Sequence, residues 1–153
     1  KDKNNIIGLQ FRCGDRYMVT NKNETHNNHI TDIYEKMINI KKKCDSKYND
    51  YNIFFTTDNI NIVEIANEVF NIDKVIYDNS LIQHIDRKSI HDDTSKVFVD
   101  NYILSQKTVE LYITFNSNYG RIAALSCLHD NIYDINCSEL DKKNLLSKSK
   151  LYI

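Results

Sequence analysis

The chain opens on an apolar run that turns abruptly polar: Ile6-Ile7-Gly8-Leu9-Gln10-Phe11 is followed by Arg12-Cys13-Gly14-Asp15. The apolar part predicts a buried strand. Four further runs of similar length predict strands; they are YNIFFT at 51–56, KVIY at 74–77, LYITF at 111–115 and NIYDI at 131–135. Four of the five predicted strands run directly into polar residues, as the first one does.

Segments with helical spacing lie between these strands. One follows a long polar loop over residues 12–29, one is capped by Asn59, one covers residues 97–106, and one starts at Asn118, where Gly120 permits close approach to the sheet. The apolar positions expected to be buried are Ile30, Ile33, Tyr34, Met37, Ile38, Cys44, Ile62, Val63, Ala66, Val69, Phe70, Val97, Phe98, Tyr102, Leu104, Ile122, Ala123, Leu125 and Leu128. The alternation predicts an α/β, Rossmann-like parallel sheet with helices on both faces, forming one domain over residues 1–153.

The charge balance gives no reason to expect a nucleic-acid-binding protein. The 153 residues carry 20 basic and 21 acidic side chains, whereas nucleic-acid surfaces are usually basic. No apolar run is long enough to cross a bilayer, and the first residues lack a signal-peptide core, so we expect a soluble chain. The four cysteines show neither a CxxC pair nor a zinc-type spacing, which favours reduced thiols and a cytoplasmic compartment over a secretory lumen.

Polar residues at the ends of the predicted strands indicate a ligand site, because parallel sheets bind ligands beyond their carboxyl ends. Ser117 and Asn118 stand where a helix begins, and the first turn of a helix offers unpaired N–H groups to a phosphate. Arg12 would add a charge-assisted contact, which together suggests a nucleotide diphosphate. Ordinary capping and turn chemistry also explains such residues. With three glycines in the chain, neither GxGxxG nor a P-loop can be written.

Five segments together resemble a known family. Residues 9–15, LQFRCGD, resemble the H-x-R-R-x-D signature of the fucosyltransferases that use GDP-fucose, a superfamily that includes the α1,2-, α1,6- and protein O-fucosyltransferases. The other four follow in the family's order; they are FFTTDN at 54–59, VIYDNS at 75–80, VDNYILSQ at 99–106 and TFNSNYGRIA at 114–123. Each segment is short, and the ordered set covers nearly the whole chain.

The resemblance implies the donor-binding, C-terminal half of a GT-B glycosyltransferase that works without a metal or other cofactor. Arg12 matches the signature arginine that stabilises the departing GDP, and Asp100 matches the acid that recognises guanine. Ser117 and Asn118 would hold the phosphates, and Asp58 would lie near the base or ribose. The expected partners are GDP-fucose and a glycan or protein acceptor, with an N-terminal acceptor domain missing from this chain.

The chain also departs from the family pattern. Cys13 replaces the second signature arginine, and Gln10 replaces the usual histidine. No residue carries over as the general base that inverting transfer needs; Glu24 and Asp15 are the candidates from the first loop, but Glu24 is out of register with the family's glutamate and is better explained as a solvated loop acid. Arg121 belongs to the family pattern and could orient phosphate or pair with a neighbouring helix.

Two weaker interpretations stay open. His84, Asp86, His91, Asp92 and Asp93 could bind a divalent metal, although their spacing matches no known site and favours an exposed loop that could border the acceptor. The chain could also be a non-catalytic glycan- or protein-binding module built on this fold, or a transferase that uses another nucleotide sugar. Selectivity for GDP over ADP and UDP separates these hypotheses.

Overall fold

The computed structural model describes residues 4–13, 23–78 and 95–147, with the backbone alone at 23–31 and 147. Within this part the chain forms a five-stranded, all-parallel sheet in the order β3-β2-β1-β4-β5. The strands are β1 (Asn5–Phe11), β2 (Tyr51–Thr57), β3 (Val75–Ile76), β4 (Glu110–Ile113) and β5 (Ile132–Asp134). The predicted α/β, Rossmann-like class is confirmed.

Helices cover both faces of the sheet. One face carries α1 (Asn23–Asp45) and α2 (Asn61–Phe70), and the other carries α3 (Ser95–Gln106), α4 (Asn118–Ser126) and the short α5 (Lys142–Ser147). Because side chains alternate along a strand, Leu9 and Phe55 belong to the first apolar cluster, whereas Phe54 and Leu111 belong to the second. Both faces of the central strands are therefore buried.

The structure confirms the buried face that the sequence predicts for α2. All five apolar residues that the 3.6-residue period assigned to its inner face are buried; they are Ile62, Val63, Ala66, Val69 and Phe70. The Asn59 side chain accepts a hydrogen bond from the Asn61 backbone N–H at 3.0 Å, just before the first turn. Local sequence is sufficient here because one face of the helix carries almost all of its apolar residues.

The predicted boundary of α1 is wrong. The helix begins at Asn23, so the polar segment that we expected to be a loop as far as residue 29 is helical over residues 23–29. Residues 23–29 contain neither proline nor glycine, and nothing in their backbone chemistry ends the helix before the apolar positions start. Glu24 therefore lies in a helix and not in a loop.

The predicted inner faces of α3 and α4 are partly wrong. In α3, Phe98 and Tyr102 are exposed by more than half, and the buried positions are Asp100, Leu104 and Ser105. In α4 and just after it, Ile122 and Leu128 are exposed. The inner face of α4 consists of small residues, Gly120, Ala123 and Ala124. Small side chains let this helix pack close to the sheet, which leaves its larger apolar residues outside.

The strand order creates a switch point. From β1 the chain passes to β2 on one side, while β4 pairs with β1 on the other. The connections leave this point in opposite directions, and a crevice forms outside the carboxyl ends of β1 and β4. All four cysteines are free thiols, with Cys44 and Cys127 fully buried.

Candidate functional site

The carboxyl ends of β1 and β4 are tied together by Thr114. Its hydroxyl accepts a hydrogen bond from the Arg12 backbone N–H at 2.9 Å, and its own backbone N–H donates to the Gln10 carbonyl at 3.0 Å. The Gln10 side-chain oxygen lies 3.2 Å from the same N–H. The residue that we expected to contact phosphate, Arg12, is thus fixed at the switch point through its backbone.

Ser117 is buried and caps α4. Its hydroxyl oxygen accepts hydrogen bonds from the Gly120 N–H and from the Gln10 side-chain amide, both at 3.3 Å. The capping alternative therefore describes the contacts of Ser117, and Gln10 links the sheet to the helix. The groups that remain for a phosphate at this helix start are the N–H groups of Asn118 and Tyr119, because first-turn N–H groups have no acceptor within the helix.

The close approach of α4 depends on Gly120. A Cβ built on this glycine would collide with the side-chain oxygen of Gln10 and would lie 3.1 Å from the Cβ of Ile113. The sequence analysis predicted this role for the glycine, and the geometry confirms it. The amino end of α4 consequently lies directly on the switch point.

Asp58 holds the segment that leaves β1. Its carboxylate accepts a hydrogen bond from the Cys13 backbone N–H at 2.7 Å and lies 3.9 Å from Nε of Arg12. The Arg12 side chain stays 41% exposed, so its guanidinium can reach a ligand, for which the neighbouring Asp58 carboxylate competes. Burial, reinforced by Asp58, raises the pKa of the Cys13 thiol to about 12, so the residue that replaces the second arginine adds no charge.

Asp100 lies at the same edge of the sheet in a buried ion pair. The residue is 6% exposed, and its Oδ2 is 2.9 Å from the ammonium group of Lys96, one turn earlier on α3. Lys96 also contacts the Asp78 carboxylate at 3.2 Å and the Asp78 carbonyl at 3.1 Å. Burial raises the pKa of Asp100, and Lys96 opposes that rise. Lys96 was not predicted as a site residue, although a lysine four residues before an aspartate on a helix is a recognisable ion-pair spacing.

Buried polar side chains collect at this end of the sheet. Thr56 on β2 is in register with Gln10 on β1, and both point to the face that α3 and α4 cover, as Phe54 two residues earlier does. The Thr56 hydroxyl is buried and has no hydrogen-bond partner among the described residues. Together with Asp100 and Ser117 they form a layer that we call the buried polar layer. Buried polar groups cost free energy unless they are bonded; Gln10 bonds to Ser117 and Asp100 pairs with Lys96, so among the described residues Thr56 is the member of this layer that a ligand could satisfy.

A small pocket lies on the opposite face at the end of β1. Its volume is about 100 Å³, and its lining includes Arg12, Cys13 and Ile135 together with Lys36 and Asp32 of α1. Sites for small molecules usually measure about 300–1,000 Å³. The pocket is therefore smaller than an ordinary small-molecule site, and one of its two cations, Lys36, is paired with Asp32 at 2.6 Å.

Other predicted site residues fall elsewhere. The Arg121 guanidinium donates to the Leu145 carbonyl of α5 at 2.9 Å, which agrees with the alternative of pairing to a neighbouring helix. Asp15 and the loop with His84 and Asp93 lie outside the described residues, and the Glu24 side chain is outside them as well. In the part of the chain that the structure describes, no group of three or more His, Cys, Asp or Glu residues could hold a metal ion.

No protein-family model matches the chain, and a search among curated proteins returned no match. None of the helices in the described ranges is long and apolar enough to cross a membrane. The features of the molecule that bear on function are the switch point, Arg12, the amino end of α4 and the buried polar layer.

Proposed function

We propose that this chain is the donor-binding domain of a glycosyltransferase, with GDP-fucose as the donor. The observation that carries the proposal is the position of Arg12. It follows β1 at the switch point, its backbone bonds to Thr114 after β4, and its guanidinium remains accessible. A cation next to a helix start at a switch point is suited to a diphosphate.

The chemistry assigned to Arg12 is stabilisation of the leaving group. In the proposed transfer an acceptor hydroxyl attacks the anomeric carbon from the face opposite the diphosphate, and its proton passes to the general base. The bond from that carbon to the β-phosphate oxygen breaks, the configuration inverts, and GDP leaves with the electron pair. Arg12 stabilises the negative charge that develops on the diphosphate, and the N–H groups of Asn118 and Tyr119 add a second source of stabilisation.

Asp100 is the proposed guanine-binding residue. Guanine presents N1–H and N2–H donors on one edge, and a carboxylate accepts both, whereas adenine presents a different pattern. A carboxylate offers about four acceptor positions on two oxygens, so the ion pair with Lys96 leaves capacity for a base. Glu24 and Asp15 remain predictions for the general base, and the acceptor, a glycan or a protein, belongs to the proposal without an assigned site.

Calorimetric titration of the 153-residue chain with GDP, ADP and UDP tests this function. We expect binding selective for GDP, and a loss of about tenfold to a hundredfold in affinity for Arg12→Gln, which is the range for hydrogen bonds to a charged group. Lys107→Gln, which removes an equal charge from an exposed site beyond α3, is the matched control. Unchanged GDP affinity in Arg12→Gln contradicts the proposal, and stronger binding of UDP would indicate a transferase for another nucleotide sugar.

A second candidate is a non-catalytic glycan- or protein-binding module. Two observations favour it: the thiol of Cys13 is neutral where the family has a charge, and Lys96 already occupies one oxygen of Asp100. A module of this kind has no need to prefer GDP over ADP. Equal or absent binding of both nucleotides would support it.

A further inference from the structure

Lys96 joins two elements at the carboxyl edge of the sheet. Its ammonium group bridges the Asp100 carboxylate on α3 and both the side chain and carbonyl of Asp78, which follows β3. It also lies 5.6 Å from the ring centroid of Tyr77, and its side chain is 15% exposed. The lysine is therefore enclosed by acceptors and an aromatic ring instead of extending into solvent.

This arrangement determines the charge of Asp100. Among the described residues, the groups that face its carboxylate are Lys96 on the same helix, Asp78 and Tyr77 after β3, and Tyr119 on α4. Burial raises the pKa of both tyrosines, so they are neutral at pH 7. Burial and the like charge of Asp78 favour the protonated form of Asp100, and in the part of the chain that the structure describes Lys96 is the cation that opposes them.

We propose that Lys96 is a positioning residue of the donor site: it holds the buried Asp100 as a carboxylate, and this favours bases that present two adjacent N–H donors on one edge. The inference rests on the proposed function for its ligand, but the Lys96–Asp100 contact stands without it. A protonated Asp100 would donate one hydrogen bond and lose acceptor capacity, which is the wrong pattern for the guanine edge.

The consequence is a pH dependence that Lys96 controls. If the ionised form of Asp100 binds GDP, affinity falls as the pH decreases through the pKa of this carboxyl group. Removal of the lysine raises that pKa, so the fall begins at higher pH. A rise of one unit weakens binding about tenfold at any pH below both values.

The test compares GDP titrations between pH 5 and 8.5 for the wild type, Lys96→Met, Lys96→Arg and Lys74→Met. Lys74 is a close match as a control: it is 3.0 Å from Asp50 and 5.6 Å from the ring centroid of Tyr51, but its carboxylate partner is exposed. We expect the pH of half-maximal affinity to rise by about one unit or more in Lys96→Met. It should stay unchanged in Lys74→Met and nearly unchanged in Lys96→Arg, which keeps the charge.

A second measurement separates this inference from the proposed function. Carbon-13 NMR of the Asp100 carboxyl, in the chain without nucleotide, gives its pKa directly in the wild type and in Lys96→Met. A raised pKa together with no GDP binding by the wild type would overturn the donor-site proposal and leave Lys96 as the residue that keeps Asp100 ionised. The role of Lys96 would be overturned if the pKa of Asp100 were unchanged in Lys96→Met. It would also be overturned if the pH of half-maximal GDP affinity were the same in the two proteins, even if removal of the lysine lowers stability.

Discussion

Replacing Gly120 with alanine tests how closely α4 lies against the switch point. The added methyl group would overlap the side-chain oxygen of Gln10 and approach the Cβ of Ile113 to 3.1 Å. Moving the Gln10 side chain away would weaken two hydrogen bonds. Its amide oxygen accepts from the Thr114 N–H at 3.2 Å, and its amide nitrogen donates to the Ser117 hydroxyl at 3.3 Å. The substitution therefore has two opposing effects on stability: alanine has the higher helix propensity, but its methyl group overpacks the site.

The opposing free energies can be compared. Alanine is more favourable than glycine inside a helix by about 1 kcal/mol. Overpacking a dense site costs about 1–3 kcal/mol, and each weakened hydrogen bond of Gln10 costs about 1 kcal/mol. We expect Gly120→Ala to lower the free energy of unfolding by about 2 kcal/mol, and the melting temperature of a domain of this size by about 4–8 °C.

Urea unfolding followed by far-UV circular dichroism measures this change. Asn118→Ala, at an exposed position in the same first turn, is the control and should stay within about 0.5 kcal/mol of the wild type. Combining Gly120→Ala with Gln10→Ala removes the collision, so the double variant should be more stable than the sum of the two losses by about 1 kcal/mol. A Gly120→Ala protein as stable as the wild type would refute the close packing of α4.

Three further predictions concern other parts of the molecule. Lys47→Met should destabilise the protein by about 2–3 kcal/mol in urea unfolding, because the buried Glu110 carboxylate, 2.8 Å from Lys47, would lose its cation. A loss below about 0.5 kcal/mol would contradict this prediction. Burial lowers the pKa of His129, so the unfolded state takes up protons first and stability should fall as the pH decreases below about 6.5. His129→Gln should flatten this part of the stability–pH curve, and an unchanged slope would exclude the histidine as its source. Asp58→Asn should strengthen GDP binding in calorimetry by about two- to fivefold if Asp58 competes for Arg12, whereas weaker binding would indicate that its charge contacts the ligand.

The sequence was sufficient where apolar spacing alone decides which face is buried. The pattern of α2 gave its inner face correctly because five apolar residues share one side of a ten-residue helix. The prediction failed for α3, where polar Asp100 is buried and aromatic Phe98 is exposed. There the inner face is determined by the ion pair with Lys96 and by packing against α4, and neither interaction can be predicted from the hydropathy of the helix.

The candidate site was also predicted only in part from the sequence. The sequence placed Arg12 directly after a buried strand and predicted a tight contact at Gly120, since both depend on short stretches of chain. It did not show that the Ser117 hydroxyl is used to cap its helix, or that Lys96 encloses Asp100. These contacts depend on which elements become neighbours.

The amino-acid sequence by itself determined five strands, the helices between them and the polar residues at the strand ends, because these features follow from the hydropathy and backbone preferences of adjacent residues. Only the tertiary structure decided that β1 lies between β2 and β4. It also decided that Gln10 bonds to Ser117, 107 positions away. Contacts of this range are selected by the packing of the whole sheet and its helices, where small side chains, buried charges and hydrogen-bond partners must be satisfied together.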